Sequence, residues 1–94
     1  MVNFFSEFNN VSLTFSDIIK TEYLHEHIDI LLDRVRNNSV DYILTQLPGL
    51  KVIESKGFTD EEIKFWMDYT TRNSALIQEI AMERQADWKD AEID

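Results

Sequence analysis

Ninety-four residues with eighteen acids against nine bases give a net charge of −9, and 44% apolar with 12% aromatic residues is the composition of a chain that folds. The length fits one domain with a modest core. The acidic balance disfavours a direct grip on nucleic acid or on an anionic membrane, since both depend on Lys and Arg, and the absence of cysteine leaves neither a disulfide framework nor a thiolate metal site.

The first residues, MVNFFSEFNN, lack the basic and apolar regions of a signal peptide, and nowhere do the ~18 consecutive apolar residues of a membrane span occur, so a cytoplasmic location is expected. Phe4, Phe5 and Phe8 have the spacing of one face of a helical turn, which Asn9-Asn10 punctuates. Val11-Ser12-Leu13-Thr14-Phe15 alternates apolar and polar with period two, which fits either a short half-buried strand or an extended lead-in. Ser16, or Thr14 with Asp17, then offers a cap for a helix reaching to Arg36. On it Leu24, Ile28, Leu31 and Val35 follow the 4-3-4 spacing of a buried stripe, which Tyr23, Ile30 and Leu32 widen. Asn37-Asn38-Ser39 interrupts the pattern. Ser39 can cap a second stretch with Val40, Ile43, Leu44 and Leu47 on one side, and Pro48-Gly49 stops it. Leu50 and Val52 alternate, which leaves room for a short strand pairing with Val11–Phe15.

The strongest start signal follows. Thr59 is a good N-cap, Glu62 three residues on completes a capping box, Phe58 and Ile63 are placed as its hydrophobic staple, and Asp60, Glu61 and Glu62 put negative charge at the positive end of the helix dipole. A straight helix over 59–90 would run about 48 Å, against about 30 Å for a small domain. It must therefore bend, with Thr70-Thr71-Arg72-Asn73-Ser74 as the weak stretch, or project and bury its apolar stripe on another chain. The projecting form predicts a homodimer or higher oligomer.

The segments add up to an all-α or nearly all-α domain over 1–94: an N-terminal arm (1–15), a helical segment (16–47), a connection (48–58), a long helix (59–90) and an acidic tail (91–94). That is a small three- to four-helix arrangement with room for one very short strand pair.

Few residues suggest chemistry. Glu22 with His25 gives one Glu-x-x-His, but a di-iron bundle needs a second and two more carboxylates, and the second half of the chain has no histidine. Nucleophile arrangements, Gly-rich phosphate loops and zinc spacings are missing, so no catalysis, cofactor or metal is expected. Two acidic rows stand out when both segments are drawn as helices: Glu22, Glu26, Asp29 and Asp33 on the first, Glu79, Glu83, Asp87 and Asp90 on the last. Such rows are ordinary solvated faces or edges presented to a basic partner. Trp88, between Asp87 and Asp90, either meets a second chain or covers the Phe4-Phe5-Phe8 turn. The functional expectation is a small acidic protein-binding module acting stoichiometrically as an inhibitor, regulator or assembly adaptor. A DNA mimic that occupies a nucleic-acid-binding protein is the alternative, and a metal-binding or enzymatic protein the remote one.

Overall fold

In the computed structural model, which describes residues 2–21 and 25–93 and the side chains among them through Arg84, the first half of the chain is a sheet. Strands β1 (Val2–Phe8), β2 (Val11–Ser16), β4 (Glu26–Arg36), β5 (Ser39–Leu47) and β6 (Glu54–Lys56) lie side by side in the order β1-β2-β4-β5-β6, all neighbours antiparallel. The short β3 (Ile19–Lys20) pairs with the start of β4. One helix, α1 (Asp60–Ile93), follows.

The all-α expectation is therefore wrong, and so are the helical turn at Phe4–Phe8, the helix reaching Arg36 and the helical stretch Val40–Leu47. Two short turns decide it. Phe8 pairs with Val11 and Arg36 with Ser39, so Asn9-Asn10 and Asn37-Asn38 are two-residue hairpin loops. All four asparagines have positive φ, 52° and 64° in the first turn and 51° and 67° in the second. This is the I′ turn, whose twist matches that of the flanking strands and whose conformation Asn tolerates best after Gly. Between the turns the side chains alternate: Ile28, Ile30 and Leu32 of β4 and Ile43, Thr45 and Leu47 of β5 are buried, while Leu31, Val35 and Val40 are exposed. Period two wins over the helical spacing. The strand left open over Val11–Phe15 exists as β2, but it pairs with β1 and β4; the connection's strand is Glu54–Lys56, paired with β5.

Helix α1 covers one sheet face. Its start shows the capping box in full, with the Thr59 amide donating to Glu62 Oε1 at 2.9 Å and the Glu62 amide to Thr59 Oγ1 at 3.2 Å. Trp66, Thr70, Ile77 and Ala81 are buried against Val11, Leu13, Phe15, Ile28, Ile30, Leu32, Ile43 and Leu47, with Ile63, Met67, Tyr69 and Ile80 at the margins. The polar run 70–74 does not break the helix. Thr70, Thr71 and Asn73 each donate to the carbonyl four residues back, and Ser74 to that of Thr71, all at 2.8 Å, so the side chains that compete for the backbone do so inside the helical ladder. From Asp60 to Ala81 the helix advances about 33 Å, close to the length of β4 and β5 at about 3.4 Å per residue. The remaining turns run on for about 18 Å past Ala81, the last buried residue among the described side chains.

Candidate interaction surface

The densest polar cluster fastens the helix to the sheet. Arg34, facing inward at the hairpin end of β4, donates from Nε to Asp41 Oδ2 at 2.9 Å, from Nη1 to Glu62 Oε2 at 2.6 Å, and from Nη2 to Glu62 Oε1 and the Gly57 carbonyl. Its guanidinium also lies 4.1 Å from the centre of the Phe58 ring. These carboxylates raise the Arg34 pKa further, and the Arg34 hydrogen bonds, with those from Thr59, pull Glu62 down to about 2. Gly57 completes the cluster at φ 84°, where a Cβ would overlap the Asp41 carboxylate. Arg36 adds a second contact to Asp41 at 3.2 Å. With four bonds directed inward, Arg34 has little left for a ligand. The cluster is a clasp.

The other sheet face has nothing over it among the described residues. Antiparallel sheets with one face in water usually alternate apolar inward and polar outward. This one departs from that rule. Reading across the strands, Phe4, Thr14, Leu31, Leu44 and Glu54 are paired partners in one outward row, and Val35 pairs with Val40 towards the hairpin turn. Phe4 is 62% exposed, Val35 74% and Val40 46%. The next row runs Glu7, Ser12, Asp33, Tyr42 and Lys56. Tyr42 donates to Glu54, which holds the phenol above its ordinary pKa. The Asp33 carboxylate makes no hydrogen bond and no ion pair among the described residues. It stands between outward Leu31 and Val35 on its own strand, and partial burial raises its pKa. Glu7, Asn10, Ser12, Arg34 and Val35 join it in lining a hollow of about 270 Å³.

The expected acidic row of the first segment does not form. Asp29 and Asp33 share the outer face because they are four apart in a strand, but Glu26 has the opposite parity and pairs with Lys20 at 3.9 Å, and Glu22 lies outside the described residues. Asp29 accepts a hydrogen bond from Gln46 at 2.9 Å, with His27 Nε2 3.5 Å away. On α1, Glu79 and Glu83 are exposed, whereas the side chains of Asp87, Trp88 and Asp90 lie outside the described residues. Trp88 has no Phe4-Phe5-Phe8 helical turn to cover, since those residues belong to β1: Phe5 meets Phe15 edge-on, Phe8 stacks on Tyr69, and Phe4 faces outward. Leu31, Leu44, Val35 and Val40 were hidden as candidates because a helical reading assigns them to the core. Parity with Ile28 and Ile43 is the signal that separates them.

Among the described residues no three His, Asp or Glu side chains gather as a metal site, and no helix is long and apolar enough to cross a membrane. In comparisons with known proteins, the chain matches no family, no curated protein and no solved structure.

Proposed function

We propose that this protein is a non-catalytic binding module that engages another protein stoichiometrically, as an inhibitor, regulator or assembly adaptor, through the open face of its sheet. The observation that carries this reading is the outward row Phe4, Leu31 and half-buried Leu44 with the Val35–Val40 pair, apolar side chains facing away from the face on which α1 packs. Contiguous exposed apolar surface of this kind marks interaction sites. Five strands of 3 to 11 residues, at about 3.4 Å per residue and about 4.8 Å spacing, offer on the order of 600 Å² in projection, against the roughly 800 Å² that one partner contributes to a standard interface. Self-association through the projecting end of α1 accompanies this proposal.

A DNA mimic remains the competing reading. It drew on two acidic rows, of which β4 pairing removes the first. Capture from host lysate at low and raised salt, followed by competition with duplex DNA, tests the choice. A partner held by apolar anchors keeps most of its affinity in salt and ignores DNA, and Leu31→Ser with Leu44→Ser releases it. A mimic loses its partner steeply with salt and to DNA, and the change Glu79→Gln, Glu83→Gln, Asp87→Asn, Asp90→Asn releases it instead.

A further inference from the structure

The open face also specifies what would lie on it. Apart from Val2 and Phe4 on the edge strand β1, its apolar residues lie on two adjacent strands, Leu31 and Val35 on β4 and Val40 and Leu44 on β5. Two strands with their margins span about 10 Å, the diameter of one α-helix with its side chains, so the strip is a helix wide. Charge brackets it. The outward positions carry Glu7, Asp29, Asp33 and Glu54 against a single lysine, Lys56. A second copy of this chain would bring the same excess of carboxylates face to face, which like-charge repulsion opposes. Asp33 adds the register: a half-buried carboxylate with no cation or donor among the described residues, set between Leu31 and Val35, beside a hollow that Glu7 also lines. The one guanidinium lining that hollow, Arg34, is already committed to Asp41 and Glu62.

Resting on the docking reading above, we propose that the partner presents an amphipathic helix, its apolar stripe laid along β4 and β5 and its flanks basic, with one cationic side chain seated on Asp33. The apolar strip supplies the burial and the carboxylates choose the sign of the partner. A helix with acidic flanks is rejected because it would leave Asp33 desolvated against like charge.

Titration of the isotope-labelled full chain with three synthetic 18-residue helices tests this. They share one leucine stripe and carry arginine, lysine or glutamate on the flanks; amide shifts are followed by NMR. The basic helices should shift amides of 29–35 and 40–46 with saturable binding, and the acidic helix should bind at least tenfold more weakly. Asp33→Asn should weaken the basic helices about fivefold or more, while Leu31→Ser with Leu44→Ser should weaken all three; spectral dispersion checks that each variant folds. The arginine and lysine arms distinguish a bidentate seat from a point-charge one. Equal binding of the acidic helix, or indifference to Asp33→Asn, overturns the proposed partner chemistry while a persisting effect of the leucine changes leaves the docking face in place. Shifts confined to α1, or none on the sheet at millimolar peptide, overturn both.

Discussion

Asp33 is a residue at odds with its own fold. Its carboxyl titrates above the ordinary value because it is partly buried without a partner, so the folded chain holds that proton more tightly than the unfolded one. Stability must then fall as pH rises through that window, and the charged form at neutral pH is a cost. Asp33→Asn should therefore raise the stability of the free protein at pH 7, by at most about 1 kcal/mol, even as it weakens the proposed complex. Chemical denaturation beside the peptide titration reads both signs, and a destabilised Asp33→Asn would mean the carboxylate has an intramolecular role. Glu62 has the opposite sign. Arg34 holds it at about 2, below its ordinary 4.5, so its contribution is complete above 4.5 and is lost as pH falls towards 2. Glu62→Gln should flatten the acid limb of the stability profile over that interval, whereas an unchanged limb would place the acid sensitivity elsewhere. Its capping partner is a separate matter: Thr59→Ala should cost about 0.5 to 2 kcal/mol in urea denaturation, and a negligible loss would mean that the box seen at 2.9 and 3.2 Å does not stabilise the helix start.

At the scale of elements, α1 was legible and the sheet was not, for reasons that the residues make plain. Cap, staple and acidic first turn are local signals that agree at Thr59, and the helix begins at Asp60. The stretch 28–35 is ambiguous because Ile28, Leu31 and Val35 satisfy the helical spacing while Ile28, Ile30 and Leu32 satisfy the strand spacing. The deciding information lay in the asparagine pairs, two residues long between two apolar runs, which read as breaks between helices but work as I′ turns. The two readings give opposite signs in one experiment. Replacing Asn37-Asn38 by Ala-Ala would favour a helix through that point, since Ala is the best helix former. In the hairpin Ala lacks the short polar side chain that lets Asn tolerate left-handed backbone, a conformation costing an ordinary L-residue about 1 to 2 kcal/mol, so the variant should be destabilised by up to that much at each position. Nothing in the sequence pattern announces the clasp. Arg34, Asp41, Gly57 and Glu62 converge only after β4, β5 and α1 have docked, and Gly57 there is required by both its φ of 84° and the Asp41 carboxylate against it. The open face was illegible for a related reason: an apolar residue in a strand declares its side only when the register of its neighbours is known.

For the whole molecule, the feature a reading of helix length anticipated is that the helix is longer than any strand of the sheet it packs on. The molecule extends 47 × 26 × 22 Å, the long dimension set by α1. Between Asp60 and Ala81 the helix is held by the sheet, and from Met82 to Ile93 it continues for about 18 Å of backbone, with the described side chains Met82, Glu83 and Arg84 exposed. A helical stretch of about twelve residues is marginal in water alone, because most helical stability in proteins comes from burying a face. It persists either by drawing on the anchored turns before it or by meeting a second chain. The open sheet face is a poor place for that second copy, given its four carboxylates against Lys56, so self-association should run through the end of α1 and leave the sheet face free for a different partner. Light scattering of the full chain at micromolar concentration should give a dimer mass. That mass should survive Leu31→Ser with Leu44→Ser and fall to the monomer with Trp88→Ala. A monomer for the unaltered chain would refute self-association and leave the end of α1 as a solvated extension; a dimer dissolved by the Leu31 and Leu44 changes would put the second copy on the sheet, where the proposed basic helix was to lie.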